Sequence, residues 1–109
     1  NGNTVNVCVN DSTGNYNGID VRRFVLLTIN NSDNYLVTAI KTSGAGDRDP
    51  DIVIYRDGEF VTVLERATVD SEVDTVDLEA GDYILEFYDY NNVGDVGTTG
   101  AACFDISVN

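Results

Sequence analysis

The 109 residues amount to one domain, with room for two packed layers around a small core. Six Lys and Arg against nineteen Asp and Glu leave a formal net charge of −13. Such a surface repels nucleic acid and anionic membranes, and suits either cation binding or plain solvation. There is no His, Met or Trp, so Ser-His-Asp and Cys-His catalysis are excluded.

In chain order, Thr4 to Val9 reads as a strand, with Val5, Val7 and Val9 on one face and Cys8 on the more polar one. Asn10 to Asp20 is a cluster of turn formers that ends in Asn17-Gly18 and Asp20. Asp11, Asn15 and Asp20 offer oxygen ligands there, and Asx-turns explain them equally well. Val21 to Ile29 is apolar on both faces after Arg23, which predicts a central, well-covered strand. A polar turn leads to a β-rich third strand, Tyr35 to Thr42, and Ser43-Gly44-Ala45-Gly46 loosens the chain before an acidic run.

That run, Asp47-Arg48-Asp49-Pro50-Asp51, opens the most patterned stretch. Pro50 holds Asp49 extended and does least harm to a ladder at a strand's first residue. Asp57-Gly58 is read as a two-residue hairpin turn, because a primed turn needs positive φ at its centre. Counting from it, Arg56 faces Glu59, Tyr55 faces Phe60, Ile54 faces Val61 and Ile52 faces Val63. Ile52, Ile54, Val61 and Val63 then form the core face, and Val53, Tyr55 and Phe60 the other.

Arg66 to Ser71 carries little pattern. Val73, Val76 and Leu78 mark a shorter strand whose alternation fails, which predicts an irregularity. After the Glu79-Asp82 turn comes the strongest strand, Tyr83 to Tyr90, with Tyr83, Leu85 and Phe87 on one face. Asn91 to Gly100 reads as a long exposed loop. Cys103 to Val108 closes the chain, with Phe104, Ile106 and Val108 facing one way and Cys103 the other. No helical period is present. About eight short strands separated by turns predict an all-β antiparallel sandwich or jelly roll, a single domain over residues 1–109.

The two cysteines allow one pairing, Cys8 with Cys103, and both lie on polar faces. A bridge across the outside of the sheet is expected, hence an oxidising compartment; two buried free thiols are the alternative. Two Cys without His make a poor zinc site.

No P-loop, Rossmann or nucleophile-elbow motif appears. Calcium chemistry is better supplied. Asp47, Asp49 and Asp51 would converge in an extended chain, and Asp89 and Asp95 offer a second acidic loop beside Asn91 and Asn92. The first run is no EF-hand, since Ile52 and Gly58 stand where that loop needs Gly and Glu. The alternative is that these Asp residues cap turns and face water. Of the tyrosines, Tyr55 with Phe60, and Tyr88 with Tyr90 on one strand face, are candidate ligand-binding residues; otherwise they cover the edge of a small core. Asn10-Asp11-Ser12 and Asn30-Asn31-Ser32 match the glycosylation sequon.

Three stretches in this order, Asp49-Pro50-Asp51-Ile52-Val53-Ile54-Tyr55, Asp57-Gly58 and Leu78-Glu79-Ala80-Gly81-Asp82-Tyr83-Ile84-Leu85-Glu86-Phe87, resemble the bacterial pre-peptidase C-terminal domain family. The resemblance spans roughly residues 20–109. It implies a β-sandwich jelly roll beside secreted peptidases and other hydrolases, non-catalytic, aiding secretion, folding or substrate placement. Relatives include calcium-using collagen-binding domains. The strand with Cys8, and Cys103 itself, depart from the usual pattern, and few aromatics are available for a polymer-binding strip.

The combined expectation is a secreted or periplasmic accessory domain without enzymatic activity. Calcium is its one candidate cofactor. Its partners would be the catalytic domain of a parent hydrolase and an extracellular polymer, with no nucleic acid or membrane, and the chain itself a monomer. The alternative is a calcium-dependent binding module for collagen or polysaccharide, or an adhesive surface protein. No apolar run is long enough to span a membrane and no signal peptide is recognisable; the sequence starts at Asn1 without Met, so a mature product or excised fragment is expected.

Overall fold

A computed structural model of the chain describes residues 3–11, 20–66 and 68–109. The expected turn formers between Ser12 and Gly18, with Asn15 and Tyr16, lie outside the described residues.

The elements are β1 (Asn3–Val9), β2 (Arg22–Ile29), β3 (Asp33–Gly44), β4 (Pro50–Arg56), β5 (Glu59–Leu64), β6 (Ser71–Leu78), β7 (Gly81–Asp89), α1 (Tyr90–Gly94) and β8 (Ala102–Val108). They form two four-stranded sheets, β1-β8-β3-β6 and β2-β7-β4-β5, and every pairing is antiparallel. This is the predicted β-sandwich. Side chains alternate across each pleat, so β8 buries Phe104, Ile106 and Val108, β7 buries Tyr83, Leu85 and Phe87, and β4 buries Ile52 and Ile54. Phe87 and Phe104 meet between the sheets at 4.9 Å, tilted by 53°. Rings buried this fully contribute about 2–3 kcal/mol each from area alone.

The hairpin turn forms as expected, with φ of 53° at Asp57 and 79° at Gly58. Its core face is corrected. Tyr55 faces Phe60, but Ile54 faces Thr62 and Ile52 faces Leu64, because the register shifts by one residue. Val61 is the extra residue and stands 40% exposed, Val63 turns to the outer face, and Leu64 takes the core position at 3%. Arg56 lies opposite Glu59 but makes its ion pair with Glu79 at 3.1 Å.

Three further expectations are corrected. β2 is an edge strand, not a central one: Phe24 and Leu26 point away from the core and are 64% and 82% exposed. An all-apolar strand looks the same in sequence whether or not something covers its outer face. β6 runs in regular register. The broken alternation arises because Glu72 fills a core-facing position opposite the buried Ala39. The segment after β7 is not a plain exposed loop: it begins with the one-turn helix α1, whose Asn92 is buried.

Cys8 faces Cys103 directly in the β1–β8 ladder, with Cα atoms 4.0 Å apart and a 2.08 Å S–S bond. The bridge lies on the outer face of the sheet, as expected from the polar sides of both strands.

Candidate functional site

The acidic run is built around a residue that its carboxylates conceal. Arg48 is buried, and its guanidinium reaches three segments. It donates to the carbonyls of Ala45, Thr99, Gly100 and Ala101, and Nη1 lies 3.1 Å from Asp89 Oδ2. The Arg48 backbone donates to the Asp70 carboxylate and its carbonyl accepts from the Asp70 N–H. Neither side chain of the Arg48–Asp89 pair is more than 1% exposed. Asp89 also accepts from the backbone N–H groups of Asp49 and Asn91, the second capping α1. Asn91 donates to the carbonyls of Asp47 and Thr98, while Asn92 both donates to and accepts from the Gly100 backbone. These contacts fix both loops at this end of the sandwich around a depression of about 420 Å³ lined by Asp47, Asp49, Asn91 and Thr98.

The expected calcium ligands of the acidic run and of the second loop stand in different surroundings. Asp89 is taken by Arg48. Asp95 sits exposed in a left-handed conformation just after α1, and Asp47 is exposed. Among the described residues no three acidic side chains stand close enough together to hold a metal ion. Asp49 and Asp51 differ from the rest: each has a buried Oδ1 without a hydrogen-bond partner, and so do both carboxylate oxygens of Glu72. Burial pushes Asp51 up to about 8, helped by the nearby charges of Asp49 and Glu72. Burial also raises Asp49, with a contribution from Asp89. Glu72 is raised by burial first, although the Arg66 backbone and side chain oppose the shift without completing a hydrogen bond. These carboxyl groups can hold protons, or they can donate to a cation together with backbone carbonyls and water.

The aromatic candidates separate in the same way. Tyr55 and Phe60 are cross-strand neighbours on the outer face of the second sheet, where Leu26, Ile84, Tyr55 and Phe60 form one continuous row over four strands. The Tyr55 hydroxyl donates to Glu86, which also pairs with Arg22 at 2.7 Å. Tyr88 is on the same face, under the Arg22 guanidinium, and burial pushes its hydroxyl up to about 12. Tyr90 is not on that face: the strand ends at Asp89, and Tyr90 begins α1 with its ring packed near Gly94. Sequence reasoning passed over Arg48 and Glu72, and read Asn92 only as a carbonyl donor to a cation. The only visible signals were one cation inside an aspartate run and one acid in place of an alternating valine.

No known family profile matches the chain, and no curated protein does. Among solved structures it is similar to the pre-peptidase C-terminal domain of collagenase from Bacillus anthracis, with a TM-score of 0.68 and 15% identity. The match covers 98% of this chain and 88% of that one. The chain folds as a pre-peptidase C-terminal domain.

Proposed function

We propose that this chain is a non-catalytic accessory domain of a secreted peptidase or related hydrolase, acting on the folding, export or placement of its parent. The observation that carries this reading is the shared fold over nearly the whole chain with the pre-peptidase C-terminal domain of a collagenase. The site chemistry agrees with it. Among the described residues the one buried charge pair, Arg48–Asp89, is tied up in fixing loops. An external disulfide suits an extracellular location, and no helix of the described residues is long and apolar enough to cross a membrane. The test is to delete the domain from its parent and follow both secreted yield and turnover of a soluble substrate. A drop in yield with unchanged kcat/KM supports the reading.

A second reading, a calcium-dependent module for collagen or polysaccharide, draws on two observations. The Tyr55–Phe60 pair lies on an open sheet face, and the unpartnered oxygens of Asp49 and Asp51 offer hard donors. Retention on insoluble collagen, chitin or cellulose in calcium, lost in EDTA and lost in Phe60→Ser, supports it. No retention in either buffer leaves the accessory role alone.

A further inference from the structure

We infer that β2 is a self-association edge, through which two copies of this chain join their sheets antiparallel. Sheet edges in monomers are usually blunted by charge, Pro, a bulge or a cover. Three of the four edges here are defended. β5 has a bulge and Glu59, and β6 carries Glu72, Asp74 and Asp77. β1 has no charge, but its outward Thr4 and Asn6 are hydrogen-bonded to Ser107 and Asp105. Among the described residues β2 is defended only at its start, by Arg22 and Arg23. It runs Phe24-Val25-Leu26-Leu27-Thr28-Ile29 without an acid, a Pro or a bulge, and pairs with β7 on one side only.

Apolar side chains flank that edge on both faces. Outside, Leu26 and Phe24 are the two most exposed large hydrophobic side chains among the described residues. Inside, a cleft of about 510 Å³ between β1 and β2 is lined by Val5, Val25, Leu27, Leu85, Ile106 and Val108, together with Thr4, Thr28 and Asn30. A fitting occupant is an extended strand with apolar side chains on both sides, and β2 from Phe24 to Ile29 is such a strand.

The register supports a second copy. A two-fold axis through Val25 sets Val25 against Val25 over the clefts, and Phe24 against Leu26 twice on the outer face. It also sets Arg22 against Thr28 of the second copy, whose hydroxyl is bonded to Asp82 at 2.9 Å. Arg22 then lies two strands from that carboxylate, about 10 Å between backbones and within reach of a long guanidinium side chain. No acid faces an acid along the seam. The −13 charge of each copy opposes the approach at long range, and at physiological ionic strength it is screened beyond about 8 Å. Association should therefore strengthen with salt, the reverse of an ion-pair interface.

Sedimentation equilibrium from micromolar to millimolar protein, at low and high salt, tests this. The expected result is a mass that climbs from 11.8 kDa toward twice that value, more readily in high salt. Leu26→Lys, at a position already in water, should weaken association at least tenfold, or about 1.4 kcal/mol, with no loss of Tm. Phe24→Ser should act likewise, and Phe60→Ser, on the same face but the far edge, should not. A single monomer mass at every concentration and salt overturns the inference. So does association that Phe60→Ser weakens as much as Leu26→Lys, because the contact would then be the outer face and not the edge.

Discussion

Arg48 Nη1 and Asp89 Oδ2 stand 3.1 Å apart with both side chains out of water, and the pair joins the loop before β4 to the end of β7. Arg48 also satisfies four backbone carbonyls, so removing it strips those acceptors and leaves a buried carboxylate without its cation. Arg48→Met should cost about 3–5 kcal/mol in urea unfolding. Loss of less than about 1 kcal/mol would mean that the pair is solvated and the loops are held by other contacts.

Stability should fall as pH rises through neutrality. Asp51 in the folded chain titrates at about 8, above its ordinary 3.8. The folded state therefore binds the extra proton, and its contribution is complete below the ordinary value and gone above the folded one. Asp49 and Glu72 shift in the same direction. Asp70 is lowered by the Arg48 backbone and Lys41, and its contribution is lost in acid instead. Asp51→Asn should raise Tm at the alkaline end by about 5 °C, equivalent to about 1 kcal/mol, and flatten the profile. A Tm scan in which Asp51→Asn lowers stability at high pH would show that the charged form is the one stabilised. Calcium that restores the alkaline Tm of the native chain would identify a cation as its partner.

The disulfide joins strands that are already paired, so its loss should loosen β1 without erasing the fold. Closing a loop across 95 residues of separation is worth about 4–5 kcal/mol in the chain-entropy account. Hydrogen exchange on Cys8→Ser/Cys103→Ser should show β1 amides exchanging first, with β7 still protected. Uniform loss of protection would indicate that β1 belongs to the cooperative core.

The bulge in β5 makes a local prediction. Leu64→Ala should cost about 2–5 kcal/mol and Val61→Ala less than about 0.5 kcal/mol. The unshifted register reverses that order, and denaturant midpoints decide between them.

The strands that alternate cleanly were legible from sequence. β7 and β8 declare their core faces through Tyr83, Leu85, Phe87 and Phe104, Ile106, Val108, and Asp57-Gly58 fixes its turn by backbone chemistry. β2 was not legible, because periodicity shows which residues avoid water and not whether a neighbour supplies the cover. The hairpin core was misplaced by one residue because a bulge leaves no mark in a run of Phe, Val and Thr. The polar end of the sandwich was the least legible part. Arg48 works through partners far along the chain, Glu72 reaches its core position through the pairing of β6 with β3, and no local pattern marks the pairing of Asp89 with Arg48.

The most direct measurement of the central claim is a paired assay on the parent hydrolase with and without this domain. Secreted yield is read beside kcat/KM for a soluble substrate. An accessory role gives reduced yield, or reduced turnover of an insoluble polymer, with kcat/KM on the soluble substrate unchanged. A collapse of kcat/KM at full secreted yield would mean that the domain supplies groups to the chemistry, and would contradict the account.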